Sequence, residues 1–162
     1  MQKAEYILQA MRKMGEKGVP LSRAYRCLYS EDLFLAAYNK IGRNQGALTP
    51  GTENDTVDGM SIKRIRGIIK KLRQERFHFK PLRRTQIPKK SGGTRPLGIP
   101  NFSEKFVQEA LRMLLEAYYE PRFRDSSHGF RPHRGCHTAL AHIKNQFTGT
   151  KWFIEGDIRG CF

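Results

Sequence analysis

Acidic residues are scarce in this chain. Fifteen Asp and Glu stand against 30 Lys and Arg in 162 residues, a formal net charge of +15 at pH 7 with a pI near 10.1. Such an excess implies an anionic partner, and nucleic acid is the default. Cysteine is scarce too. Cys27, Cys136 and Cys161 are scattered without paired spacing, which argues against a disulfide framework and for a reducing compartment. No apolar run approaches the roughly 20 residues of a membrane span, and the N-terminus lacks the hydrophobic core of a secretion signal. A soluble, intracellular protein with no membrane partner is expected. Hydrophobic content is a modest 38%, yet the length suits about one domain with a core of its own. There is no internal repeat and no low-complexity tract.

The charge is unevenly spread. Residues 61–95 hold 13 Lys or Arg and a single acid, Glu75. Along the chain, Tyr6, Ile7, Met11 and Met14 recur at helical spacing over residues 2–17, and Gly15 and Gly18-Val19-Pro20 end that helix. Ser30 is placed to cap a second helix. Glu31 and Asp32 lie in its first turn, where the helix dipole favours acids. Leu33, Phe34, Ala37, Tyr38 and Ile41 form its apolar stripe, with Gly42 as its close. Residues 44–59 form a loop by composition. Ser61 starts a third helix, running to about Arg76. Ile62, Ile65, Ile69 and Leu72 line one side with Ile68 beside them. Lys63, Arg64, Arg66, Lys70, Lys71, Arg73 and Arg76 cover the rest. Such a helix can bind a sugar-phosphate backbone without reading bases. An ordinary amphipathic helix with solvated cations is the plainer alternative, and the shortage of acids favours the first reading.

Residues 83–100, RRTQIPKKSGGTRPLGIP, read as a hairpin: a strand over 83–89, a turn at Ser91-Gly92-Gly93, and a second extended run to Pro100. Gly92 and Gly93 can take the positive φ that a two-residue turn needs. Pro88 and Pro96 lack an amide hydrogen, which places both strands at a sheet edge. Arg83, Arg84, Lys89, Lys90 and Arg95 crowd the turn, a set suited to a polyphosphate, although on charge alone a solvated basic loop is the plainer reading. Ser103 can cap a long helix to about Tyr119. Phe106, Val107, Ala110, Leu111, Leu114, Leu115 and Tyr118 mark its core face, and Pro121 stops it. In RDSSHGFRPHRGCHTAL, Gly129 permits a tight turn, and Arg131 and Arg134 add charge. The spacing of His128, His133, His137 and Cys136 matches no familiar zinc pattern, and no metal is expected there. Cys136, Ala139, Leu140, Ile143 and Phe147 suggest a further helix. Trp152–Ile158 alternates as a strand, with Asp157 near its end.

Three motifs stand in series: IPKKSGGTRPLGIP, HGFRP at residues 128–132, and WFIEGDIRGCF at residues 152–162. Together they resemble the fingers and early palm of group II intron-encoded reverse transcriptases, RNA-directed DNA polymerases that also act as splicing maturases. The resemblance runs from about Leu28 to Phe162, and three motifs in order outrank one. It implies that Asp157 is a catalytic ligand for Mg²⁺, a hard cation that prefers oxygen donors, with the Ile158 carbonyl assisting. Two such ions brace the attacking and leaving oxygens in phosphoryl transfer. It implies that Arg83, Lys89 and Arg95 hold the dNTP triphosphate, together with the backbone of Gly160 and Cys161, while Phe162 excludes a ribose 2′-hydroxyl. The basic helix and Arg131 would contact RNA, and the loop over 44–59 resembles one that caps template or primer.

The expected fold is α+β, with helices around a small antiparallel sheet, as in the fingers and partial palm of a right-hand polymerase. Three regions are expected: residues 1–80 as an N-terminal extension with RNA-binding helices and loop, 81–148 as fingers with the basic hairpin, and 149–162 as the first palm strand. The implied partners are intron RNA, an RNA template with DNA primer, dNTP and a DNA target. The setting would be a bacterial cytoplasmic ribonucleoprotein, or an organelle. No Tyr-Ala-Asp-Asp box, thumb or endonuclease domain is present in these 162 residues. The isolated chain is therefore expected to bind RNA without polymerising, and self-association through an unpaired strand edge is expected. The alternatives are a stand-alone basic RNA-binding module and a basic structural protein of ribosomal type. The latter explains the charge but not HGFRP or the Asp157 strand.

Overall fold

Helix α1 (Gln2–Glu16) closes where the glycines predict. Gly18 takes φ +64°, its amide donates to the Gly15 carbonyl, and Val19 N donates to Met14 O. This is a Schellman close, and glycine removes its steric cost. Gly15 has a second role. A Cβ there would lie 2.0 Å from the Tyr118 carbonyl oxygen, so the small residue lets two helices touch. Tyr6, expected on the apolar stripe, is exposed, and Ala4, Met11 and Gly15 are the buried residues among those described in α1.

A computed structural model describes residues 2–90 and 92–158, and the chain divides into two compact units, residues 1–122 and 123–162. In the first, a short helix α2 (Ala24–Cys27) leads to α3 (Glu31–Ile41), whose cap is Ser30, accepting from Leu33 N at 3.3 Å. Gly42 closes α3 in ordinary right-handed geometry, so no left-handed residue is needed there. Residues 44–59 form the expected connection, with two short 3₁₀ turns. Helix α4 (Ile62–Arg73) is capped by Ser61, which accepts from Arg64 N. It ends three residues earlier than the charge pattern suggests. Glu75, at φ +55°, reverses the chain, with Glu75 N bonded to Leu72 O and Arg76 N to Lys71 O.

Strands β1 (Arg83–Pro88) and β2 (Thr94–Ile99) pair antiparallel in a two-stranded sheet, with Arg83 opposite Ile99 and Pro88 opposite Thr94. Both are edge strands, which is where the prolines are tolerated. Gly92 and Gly93 both have positive φ, as their sequence predicts. The turn is longer than the expected two residues: Gly92 N donates to Lys89 O and Lys89 N to Gly93 O. That pattern is a three-residue loop with a glycine bulge.

Helix α5 (Phe102–Tyr119) starts at Asn101 rather than at the expected Ser103 cap. Glu104 reaches back to Asn101 N at 3.0 Å, one half of a capping box. Asp55 supplies the rest from far away in sequence: its carboxylate accepts from Ser103 N at 2.9 Å and its carbonyl from Phe102 N at 3.3 Å. The core gathers Met11, Leu28, Leu33, Phe34, Ile65, Ile69, Leu72, Phe106 and Leu114. Phe34 and Phe106 rings meet at 4.9 Å.

In the second unit, α6 (Cys136–Gln146) is the helix expected from periodicity. The Trp152–Ile158 strand is not formed. No other strand lies in the described part of that unit, so its amides and carbonyls have no ladder to join. Its alternating pattern lacks a face to bury: Trp152 is 87% and Ile154 99% exposed.

Candidate nucleic-acid interface

The cations of α4 fall into two groups. Lys63, Lys70, Lys71 and Arg76 are exposed, and none has a carboxylate partner among the described residues. The others are engaged by the fold. Arg64 faces inward, 2.7 Å from Asp55 Oδ1, and donates to Ser103 Oγ at 3.0 Å. Arg66 grips Glu31 with two bonds of 2.8 and 3.3 Å. Arg73 lies over the Tyr29 ring at 5.4 Å.

The hairpin carries its cations in an ordered way. Antiparallel pairing puts Ile87 opposite Arg95, so strand alternation places Arg83 and Arg95 on one face, with Arg84 on the other, and Lys89 follows the end of β1. Arg83 is tethered: its Nε donates to Pro50 O at 3.0 Å. Lys89 and Arg95 are exposed. The base of the hairpin is laced to the 44–59 loop. Thr52 Oγ1 donates to Pro81 O, Lys80 pairs with Glu53, and Asn101 Oδ1 accepts from Glu53 N. Lys105 Nζ donates to the Gly46 and Thr49 carbonyls at 3.0 Å each. Burial, and then the nearby Arg83, lowers its pKa. Asp55, Asn101 and Glu104 were not singled out by sequence reasoning, because their partners are remote in the chain.

Sequence reasoning also passed over Phe77-His78-Phe79-Lys80, which follow Arg76. The chain reversal at Glu75 turns this segment back toward α4. There Gly67, Ile68, Lys71, Arg76, Phe77 and His78 line part of a cavity of about 430 Å³. The alternation of cations and aromatics was the available signal.

In the second unit, HGFRP is an arginine-clamped loop. Arg131 Nη1 donates to the carbonyls of Arg124 and Ser127 at 2.8 Å each, and its guanidinium covers the Phe123 ring at 5.2 Å. Arg131, expected on RNA, is thus drawn into its own loop. The turn expected at Gly129 is present over Gly129 and Phe130, with Phe130 (φ +56°) rather than the glycine in the left-handed region, as is His133 (φ +58°). Burial, then Arg134, lowers the His128 pKa, and its Nδ1 lies 3.0 Å from Thr138 Oγ1. Asp157 and Ile158 are exposed and outside any strand. Gly160, Cys161 and Phe162 lie outside the described residues.

A carboxylate such as that of Asp157 is the right donor for a hard divalent cation. Among the described residues, however, no three His, Cys, Asp or Glu gather to hold one. A lone exposed carboxylate does not make a metal site, so no catalytic step is routed through one here.

With this geometry in view, comparison with known proteins defines the class. Residues 87–162 match the family described as reverse transcriptase (RNA-dependent DNA polymerase), whose members use divalent metal ions. Group II intron-encoded protein LtrA of Lactococcus lactis subsp. cremoris is 47% identical over 159 residues, 96% of this chain and 26% of the relative. A 91 kDa protein in the cob intron of Schizosaccharomyces pombe is 54% identical over 135 residues, 83% of this chain and 17% of the relative. Nuclear intron maturase 1 of Arabidopsis thaliana, a mitochondrial protein, is 46% identical over 59 residues, 36% of this chain and 8% of the relative. The chain thus belongs to the reverse transcriptases encoded by group II introns, and it spans about a quarter of the length of LtrA.

Proposed function

We propose that this chain is part of an RNA-directed DNA polymerase that binds the RNA of a group II intron and serves its splicing and mobility. The reading rests most on one observation: Arg83 and Arg95 share a face of the hairpin, and Lys89 follows the end of β1 beside the turn, within a chain of this family. Cations gathered on one hairpin can hold a triphosphate through charge-assisted bonds. Lys89 and Arg95 would hold dNTP, with Arg83 fixing the base of the hairpin. Lys63, Lys70, Lys71 and Arg76 would meet the RNA backbone, a sequence-independent and salt-sensitive contact. Asp157 would be a Mg²⁺ ligand once further carboxylates stand beside it, the ion supplying charge stabilisation during phosphoryl transfer. Intron RNA with template and primer, dNTP and a DNA target are the proposed partners, in a bacterial cytoplasmic or organellar ribonucleoprotein.

Primer extension on an RNA template, by a polymerase carrying this segment with dNTPs and Mg²⁺, tests the reading. Asp157→Asn should abolish extension and leave RNA binding intact. Arg95→Ala should raise the KM for dNTP roughly 10- to 100-fold, the loss of a hydrogen bond to a charged group. Full extension by both variants would overturn the assignment. The stand-alone RNA-binding module is not favoured, because the family match includes the turn and second strand of the hairpin and the Asp157 segment.

A further inference from the structure

The cavity between α4 and the returning segment Arg76–Lys80 is not explained by the fold. Its volume is about 430 Å³, enough for a base with its sugar. The acids around it are all engaged. Glu53 pairs with Lys80, Asp55 with Arg64, and Glu104 accepts from the amides of Asn101 and Lys80. Two of the cavity's four cations are not: Lys71 and Arg76 have no carboxylate partner among the described residues, whereas Arg64 and Lys80 hold the acids. The local field is therefore positive and available to an anion. Phe77 lines the cavity, and Phe79, outside the lining, meets the Phe77 ring edge-on, with centroids 5.4 Å apart and rings at 86°. Phe79 is 54% exposed, an apolar ring left in water between two basic residues.

Gly67 is the second, independent sign. It sits inside α4, where glycine is the least favourable residue after proline. Packing does not require it, since a Cβ there would meet nothing within 4 Å. Nor does backbone geometry, because the helix is regular. Yet Gly67 lines the cavity. A helix interior that gives up stability for open space, beside unpaired cations and an exposed ring, suits close approach by a ligand.

The geometry points to a binding pocket for one unpaired nucleotide of RNA. Its base stacks on the Phe77–Phe79 pair, and its phosphate lies between Lys71 and Arg76. Stacking explains the aromatics, which backbone contact along α4 alone does not. The pocket rests on the proposed RNA-binding function, and adds to it a discrimination of single from double strands.

The test uses the 162-residue chain and two labelled probes at one ionic strength. One is a single-stranded RNA of about 10 nucleotides, within the usual site sizes. The other is a duplex of the same length. Fluorescence anisotropy gives both affinities. Phe79→Ala should weaken the single strand roughly 5- to 50-fold, as loss of one stacked base does, and leave the duplex within about twofold. Gly67→Ala should raise the melting temperature by about 2–4 °C through helix propensity and still weaken the single strand severalfold. A purely structural glycine would raise Tm without touching affinity. Unchanged single-strand binding in both variants, or equal losses on both probes, would overturn the pocket but not the RNA-binding function. Failure of the unaltered chain to bind either probe would overturn both.

Discussion

The two units of this chain are built on different principles. Every buried apolar side chain among the described residues lies between Ala4 and Tyr118, in the first unit. In the second, α6 buries nothing. Leu140, Phe147, Trp152 and Ile154 all stand in solvent. What organises the second unit is polar: Arg131 on two carbonyls, Arg134 on Asp125, and Thr138 bonded to the backbone at Gly135. Burying a large apolar side chain stabilises by roughly 1.5–3 kcal/mol, whereas a hydrogen bond nets about 1 kcal/mol. The contrast teaches that helical periodicity specifies a helix but not a core. Helix α5 and α6 both carry apolar repeats, and among the described residues only α5 buries its apolar face.

The largest effect should come from Phe106. It is fully buried against Phe34 and Phe102, and Phe106→Ala should cost the first unit about 3–5 kcal/mol. Ile154→Ser, at an exposed position, should stay within about 0.5 kcal/mol. Denaturant unfolding followed by circular dichroism measures both. A cost at Ile154 approaching that at Phe106 would erase the distinction between the units.

A smaller and more local effect is expected at Arg131. Removing its guanidinium takes two bonds from the HGFRP loop, each worth about 1 kcal/mol. Arg131→Ala should speed amide exchange over residues 124–138 roughly tenfold or more while the unfolding midpoint of residues 1–122 holds. A fall in that midpoint would show that the first unit depends on the second.

The same contrast explains what could be read from the chain. Helices α1, α3, α4, α5 and α6 were legible because their apolar spacing is local, and so were the caps Ser30 and Ser61, whose partners lie three residues on. The start of α5 was not. Its amides are met by Asp55, across a loop, and no window around Asn101 contains that residue. Gly15 reads as a helix breaker, yet its demand comes from Tyr118. Alternation over Trp152–Ile158 reads as a strand because the pattern cannot report whether a partner edge exists. At the candidate site, the quantity of positive charge was plain. Its availability was not: Arg64, Arg66, Arg73 and Arg131 are occupied by groups that only the fold brings near.

The smallest expected effect sharpens the comparison through backbone strain. Glu75 in the first unit and Phe130 and His133 in the second are all non-glycine residues at positive φ. Such a conformation costs an L-residue about 1–2 kcal/mol and persists where surroundings enforce it. At Glu75 the enforcement is identifiable. Leu72 is buried just before it, Tyr25 Oη bonds the Leu72 carbonyl at 3.0 Å, and the Arg76 amide closes on Lys71. Glycine would keep that geometry without the steric cost, so Glu75→Gly should raise the stability of the first unit by roughly 1 kcal/mol. Phe130→Gly should leave the main unfolding transition in place, because no core reports on that loop. If Phe130→Gly shifted the transition as much as Glu75→Gly, the strain at the exposed ring would be coupled to the packed helices, and the division into a core-built and a polar-built unit would fail.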